Sequence, residues 1–239
     1  MKRFFERLFK GTQDAFTEIL KDHLLNEKRM FLVTANPEAF MLGKSDAAME
    51  KLLLDEETTM AADAIGLVKG GEIIGIHLAE RIPGVELAQK LMEYGHEYGK
   101  SIFLLGAKQE VIDALCAVIR DQYPGLTVCG AVNGYVPDKD AVFEDMKNLE
   151  PDIVLVALGM PAQEKLIYKH FRDFRKGIFV GVGGSFDVLS GMKKRAPQFF
   201  IKHNLEWFYR IASEPSRIKR FYNGNVKFLF ALRKEKRES

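Results

Sequence analysis

The chain has 239 residues, of which 47% are hydrophobic and 28% charged, a composition typical of a globular protein and not of a disordered or collagen-like one. This length fits one domain with an appendage or two small domains, and two cysteines are too few for a disulfide framework or a zinc site. No apolar run reaches the roughly 18–20 residues that span a bilayer, and the charged N-terminal segment has no signal-peptide cleavage site.

The N-terminal third predicts helices around short strands. Residues 1–28 have apolar side chains at helical spacing, interrupted at Gly11. MFLVTANPEAF predicts a strand, a turn and a helix that continues to about Leu54. AIGLVKGGEIIG predicts a small β-hairpin around the turn at 69–71.

From Pro83 to Gly184, continuous apolar strands alternate with amphipathic helices. This order is typical of a parallel sheet covered by helices on both faces, so we expect an α/β, Rossmann-like fold. After Gly191 two helices are predicted, at about 197–213 and 215–232. We therefore expect a core over residues 1–192 and a helical appendage over residues 193–239.

Positive charge is concentrated in this appendage, although the net charge of the chain is only +2. From Lys193 onward there are 13 Lys and Arg, four Glu and nine aromatic residues, whereas residues 1–192 carry a net charge of −7. A basic and aromatic segment fits an anionic membrane surface or a nucleic acid. A solvated helix pair with an apolar core face is the alternative interpretation.

The residues that follow the predicted strands are the candidates for a ligand site, because ligands of such sheets bind beyond the carboxyl ends of the strands. Several are glycine-rich turns that open helices, whose amides suit a phosphate, so a nucleotide or diphosphate pocket is predicted. These candidates are Thr34, Asn36, Asp63, Gly106, Ala107, Gly134, Tyr135, Gly159, Gln163, Gly181, Gly183 and Asp187.

Common motifs are absent or ambiguous. There is no phosphate-binding G-x-x-x-x-G-K-[ST] loop, and GVGGSFD does not match the dinucleotide-binding pattern. Asp138-Lys139-Asp140 resembles the D-x-D of metal-dependent sugar transferases, but its position in a polar turn favours the start of a helix. Asp63 lies in the apolar stretch MAADAIGLV, where it is either a general base or a helix cap or salt-bridge partner of Arg81.

Several blocks together resemble a known family. FLVTANPEA, DAIGLV, ERIPG, LLGA, GYV, ALGMPAQE, VGVGGSFDVLSGMKKRAP and LEWFYRIASEPSRIKRF occur in this order between about Phe31 and Phe221. In these blocks the chain resembles the WecG/TagA/CpsF bacterial glycosyltransferases. The resemblance implies a cytoplasmic enzyme, peripheral at the inner face of the cell membrane, that inverts the transferred sugar without metal or cofactor.

The resemblance also implies the substrates: a UDP-sugar donor and an undecaprenyl-diphosphate-linked acceptor. We expect N-acetylmannosamine to be moved from UDP-ManNAc to lipid-linked GlcNAc, as in the teichoic acid linkage unit. Alternatives are another UDP-sugar (a ManNAc uronate or a hexose) and a membrane-associated UDP-sugar-binding protein without catalysis. We expect no nucleic-acid partner, and self-association through exposed apolar surface is left open.

The resemblance also implies the residues of the site. Asp63 falls on the family's general base, and Thr34, Asn36, Arg81 and Gln163 fall on its pocket residues. The arginines of the appendage, which are expected to neutralise the departing UDP, are Arg210, Arg217 and Arg220.

Overall fold

A computed structural model gives the structure of the chain and describes residues 1–214, 218 and 221–238, without the side chains of residues 210, 223 and 238. Its centre is a six-stranded parallel sheet of order β2-β1-β6-β5-β3-β4. The predicted Rossmann-like parallel sheet is thereby confirmed. The strands are β1 (Arg29–Ala35), β2 (Thr58–Ala62), β3 (Ser101–Gly106), β4 (Thr127–Val132), β5 (Ile153–Ala157) and β6 (Gly177–Gly181).

Helices cover both faces of the sheet and form the appendage. A 3-10 turn at Phe171–Asp173 follows α9, and a π-helical segment at Tyr222–Val226 precedes the final helix. The helices are α1 (Lys2–Arg7), α2 (Gln13–Leu25), α3 (Pro37–Ser45), α4 (Ala47–Leu54), α5 (Ile65–Ile73), α6 (Gly84–Glu97), α7 (Gln109–Gln122), α8 (Lys139–Lys147), α9 (Ala162–His170), α10 (Ser185–Leu189), α11 (Gln198–Lys202), α12 (Glu206–Ser213) and α13 (Lys227–Glu238).

Two apolar layers hold the sheet. Successive strand side chains point to opposite faces, so Phe31 and Val33 of β1 join one layer while Met30 and Leu32 join the other. The first layer packs against α1, α3, α4 and α9, and the second against α2, α6 and α7. The central strands are buried on both sides, which explains why their sequences are continuously apolar.

The starts of α3 and α4 are fixed by side chains that accept from first-turn amides. The Asn36 amide oxygen accepts from the N–H of Ala39 at the start of α3, where Pro37 is the first helical residue. Asp46 accepts from the N–H groups of Ala48 and Met49 and begins α4. The predicted single helix to Leu54 is therefore two helices that meet at Asp46.

The predicted β-hairpin is wrong: the segment forms helix α5, and the strand beside β1 is the preceding Thr58–Ala62. Gly70 does not form a turn. Instead, its missing side chain admits α13, since a Cβ there would lie 2.8 Å from Cδ1 of Leu232 and 3.0 Å from the Phe228 ring. Tertiary packing against a distant helix thus explains Gly70, whereas a Cβ at Gly71 would lie 2.5 Å from the carbonyl oxygen of Ile76.

The last helix of the appendage is packed into the body of the protein. Phe228 and Leu232 on α13 are fully buried, and the Phe228 ring lies 6.1 Å from that of Phe5 and 6.3 Å from that of Phe40. The appendage is consequently anchored at its C-terminal end. None of the helices in the described part of the chain is long and apolar enough to span a membrane.

Candidate active site

A cleft of about 330 Å³ lies at the carboxyl ends of β2, β1, β6 and β5, beneath the appendage. Its volume is at the lower end of the range for small-molecule sites. Parallel strands bring their carboxyl ends to one edge, so residues distant in sequence meet here. Seven of the predicted site residues line the cleft: Thr34, Asn36, Asp63, Gly159, Gln163, Gly181 and Gly183.

Asp63 follows the last residue of β2 and is half-buried in the cleft wall. Its backbone N–H donates to the carbonyl of Ala35 at 2.8 Å, which extends the pairing of β2 with β1. The N–H of Gly84, at the start of α6, donates to Oδ1 of Asp63 at 2.8 Å. The side chain therefore both contacts a helix N-terminus and borders the cleft, so its two predicted interpretations are compatible.

Thr34 and Asn36 lie beside Asp63 at the end of β1. The Thr34 hydroxyl donates to the carbonyl of Gly181 at 3.1 Å, which ties β1 to the end of β6. The Asn36 oxygen is engaged by the N–H of Ala39 at 3.0 Å. Both side chains are held in place by the protein at the edge of the cleft.

Gln163 is buried, with 3% of its surface exposed, on the first turn of α9. Its Oε1 accepts from the N–H groups of Gly159 and Gly183, both at 3.0 Å, and its Nε2 donates to Glu164 at 2.8 Å. Gly159 and Gly183 have φ values of 78° and 50°, which favour glycine. The backbone N–H groups of Gly159 and Gly183, which were expected from the sequence to bind a phosphate, therefore donate to Gln163.

Other candidates extend the same edge of the sheet beyond the cleft. Gly106 is the last residue of β3 and Ala107 follows it, and Gly134 and Tyr135 lie in the turn after β4. The N–H of Gly134 donates to the carbonyl of Ala107 at 2.8 Å, so these two loops are joined, and Tyr135 is 74% exposed beside them. Asp187 lies on α10, after the β6 loop.

Arg81 connects the core to the appendage. Its guanidinium lies 3.6 Å from the carboxylate of Glu206 at the start of α12, and both side chains are mostly buried. Arg81 therefore pairs with Glu206, although the sequence offered Asp63 as its salt-bridge partner. Arg217 and Arg220 lie outside the described residues, as does the side chain of Arg210.

The appendage contributes cleft residues that the sequence analysis did not single out. Trp207, Ile211, Phe221 and Asn225 line the cleft, and the rings of Trp207 and Phe221 stack at 4.7 Å with an angle of 12° between their planes. The available signal was the one-sided apolar pattern of α12, which alone does not say what the helix covers.

Acidic residues outside the cleft have structural partners. Asp138 caps α8 by accepting from the N–H of Ala141 at 3.0 Å, which confirms its predicted role at a helix start. Within the described residues, Glu144, His170 and Asp173 form a group with metal-ligating atoms, and none of the three lines the cleft. The Lys147 ammonium lies between Glu144 and Asp173, at 2.8 and 2.9 Å, and its hydrogen bond lowers the pKa of Asp173.

Comparison with known proteins decides the family. The model of the WecG/TagA/CpsF glycosyl transferase family matches residues 5–239. The chain belongs to this family. It is accordingly a glycosyltransferase, and the resemblance inferred from the sequence blocks is confirmed.

Named relatives of this glycosyltransferase cover most of its length. A protein of Bacillus subtilis strain 168 is 37% identical over 224 residues, which are 93% of this chain and 87% of the relative. A protein of Staphylococcus aureus strain MW2 is 34% identical over 224 residues, 92% of this chain and 87% of the relative. Both are named N-acetylglucosaminyldiphosphoundecaprenol N-acetyl-beta-D-mannosaminyltransferase.

Proposed function

We propose that this glycosyltransferase transfers N-acetylmannosamine from UDP-ManNAc to undecaprenyl-diphosphate-linked GlcNAc, with inversion and without a metal ion. The observation that carries this proposal is the position of Asp63 in the cleft wall, beside Thr34 and Asn36. The names of the relatives, which specify this sugar and this acceptor, support the choice of substrates.

The proposed step is a direct displacement at the anomeric carbon. The acceptor hydroxyl oxygen attacks that carbon, its proton passes to the carboxylate of Asp63, and the bond from the anomeric carbon to the UDP oxygen breaks. UDP leaves with the electron pair of that bond. The Gly84 N–H holds one carboxylate oxygen of Asp63, so the side chain is oriented before the acceptor arrives.

The donor extends along the sheet edge in this proposal. Thr34 and Asn36 position the sugar, and the glycine loops after β5 and β6 border the diphosphate. The joined loops after β3 and β4, with the exposed ring of Tyr135, hold the rest of the nucleotide, as does Asp187. The negative charge on departing UDP requires cations, which Arg210, Arg217 and Arg220 would supply through bidentate contacts. Arg81 would join them from the core side.

The appendage is proposed to dock on the anionic cytoplasmic face of the membrane. Exposed apolar side chains support this, among them Phe199, Phe208 and Phe230, and Arg233 and Arg237 lie next to Phe230 on α13. Each cation near an anionic surface contributes about 1 kcal/mol. Sedimentation with anionic and neutral vesicles tests this: equal binding to both would contradict the charge argument.

The test of the catalytic proposal uses a panel of UDP-sugars with a short-chain lipid-diphosphate-GlcNAc acceptor, with and without EDTA. Turnover of UDP-ManNAc that survives EDTA is expected. Turnover of another donor alone would reassign the sugar, loss of activity in EDTA would refute metal independence, and UDP-sugar binding without any turnover would favour a non-catalytic protein.

Asp63→Asn tests the general base. Asparagine keeps an oxygen that can accept from the Gly84 N–H, so the fold should survive while turnover falls by roughly 10²–10⁴ and UDP affinity is retained. Asp138→Asn is the matched control, because Asp138 also accepts from a helix-start amide but lies outside the cleft lining. A mild loss in Asp63→Asn would assign Asp63 to structure.

A further inference from the structure

We propose that Gln163 is a positioning residue which, together with the buried Glu164, staples the loops after β5 and β6 to each other. This inference rests on the proposed function, because those loops border the cleft that is proposed to hold the UDP-sugar. From the sequence, Gln163 is expected to contact the substrate. In the structure, however, the polar atoms of its side chain form hydrogen bonds with the protein itself.

The first part of the staple is a single oxygen shared by two loops. Oε1 of Gln163 accepts from Gly159, in the loop after β5, and from Gly183, in the loop after β6, both at 3.0 Å. An amide oxygen has two lone pairs, so both are engaged. The spacing between the two loops is therefore set by one atom of a side chain that is 3% exposed.

The second part is the carboxylate that orients this amide. Glu164 is 1% exposed, and its Oε1 accepts from Nε2 of Gln163 at 2.8 Å. Because Oε1 of Glu164 accepts this hydrogen bond, the NH2 group of Gln163 is kept on the side of Glu164 and the amide oxygen faces the two glycines. A reversed amide would place NH2 against two N–H donors, at the cost of two buried hydrogen bonds.

The staple is connected to the cleft through β6. A Cβ at Gly181 would lie 2.6 Å from Nε2 of Gln163, so the end of β6 packs directly on this side chain. The carbonyl of the same Gly181 accepts from the hydroxyl of Thr34, which lines the cleft. A shift of Gln163 is therefore transmitted to both glycine loops and to Thr34.

Affinity for UDP without a sugar separates a staple from a sugar contact. If Gln163 only contacted the sugar, Gln163→Met would leave UDP affinity unchanged and raise KM for the UDP-sugar. If it positions the loops, Gln163→Met should weaken UDP itself by roughly 10- to 100-fold and lower kcat as well, since two amides lose their acceptor. Unchanged UDP affinity in a folded Gln163→Met variant would overturn the proposal.

An exchange of the two side chains provides the rescue experiment. Gln163→Glu alone places two carboxylates side by side and removes the donor between them, so a loss of at least tenfold in kcat/KM is expected. In the double variant Gln163→Glu/Glu164→Gln, the carboxylate can accept from both glycines while the new amide donates to it. Activity and UDP affinity should then recover to within about tenfold of the natural enzyme.

Urea unfolding of each variant and UDP titration calorimetry accompany the kinetics. A folded double variant that stays as inactive as Gln163→Glu would overturn the staple, because its hydrogen bonds would be restored without effect. The proposed function fails separately: in that case the unmodified enzyme, with Gln163 in place, does not transfer sugar from UDP-ManNAc.

Discussion

Phe228→Ala is expected to release the C-terminal helix from the body of the enzyme. The Phe228 ring is fully buried between α13, α1 and α3, with its centre 6.1 Å from that of Phe5 and 6.3 Å from that of Phe40. A buried Phe side chain removes on the order of 150 Å² from water, which at about 25 cal/mol/Å² corresponds to about 4 kcal/mol. Phe-to-Ala changes in protein cores cost about 3–5 kcal/mol, in agreement.

Native-state trypsin digestion measures this release, because cleavage within the appendage tracks the population in which its helices are undocked. A loss of about 4 kcal/mol corresponds to roughly a thousandfold larger undocked population. Phe230→Ala is the matched control: Phe230 lies on the same helix but is 64% exposed, so its loss should leave the cleavage rate almost unchanged. The urea midpoint should fall in Phe228→Ala and stay constant in the control.

Equal cleavage rates and equal urea midpoints in the two variants would refute the reasoning, since they would mean that the buried ring contributes no more than the exposed one. Turnover adds a functional readout. Because Trp207 and Phe221 line the cleft, undocking of the appendage should lower kcat as well as protease resistance.

Two further predictions concern ion pairs. The Arg81 guanidinium and the Glu206 carboxylate lie 3.6 Å apart between the core and α12, and both side chains are mostly buried. Arg81→Glu or Glu206→Arg should therefore each accelerate cleavage of the appendage by trypsin, and the double exchange should restore resistance. No recovery in the double variant would contradict this pairing. Burial raises the pKa of Asp152, but hydrogen bonds from Lys176 and Ser101 outweigh it and lower that pKa overall. Asp152→Asn should therefore lower the free energy of unfolding by about 1–3 kcal/mol at pH 7. The loss should become progressively smaller below about pH 4, because there the carboxyl of the unfolded chain binds a proton before that of the folded protein. Urea titrations that give the same loss at pH 7 and pH 3 would refute this pH dependence.

Local sequence patterns predicted most of the elements because the signals they rely on are local. Continuous apolar strands and helical apolar spacing identified β1, β3, β4, β5 and β6 and the helices that alternate with strands after Pro83. The segment that became α5 is short and contains Gly70 and Gly71, so its local preferences do not distinguish helix from hairpin. Packing of Phe228 and Leu232 against Gly70 decided the outcome, and these residues lie more than 150 positions later in the chain.

Strand β2 was missed for a related reason. TTMAA is short and rich in small residues, and it reads as a strand only because β1 pairs with it and Leu8 bridges to Met60. Asp63 could still be singled out from the sequence, because a carboxylate within an apolar stretch is unusual whether or not the strand before it is recognised. In the structure it lines the cleft.

The sequence by itself determined the class of fold and the edge at which the site forms, since parallel strands must end together and the residues after them must meet there. Only the tertiary structure decided what those residues face. Gln163 forms hydrogen bonds with two glycine amides and a buried carboxylate. Arg81 forms an ion pair with a glutamate of the appendage, and Trp207 lines the cleft. Hydrogen-bond and ion-pair partners are selected by distance in space, and a short-range pattern along the chain contains no information about that distance.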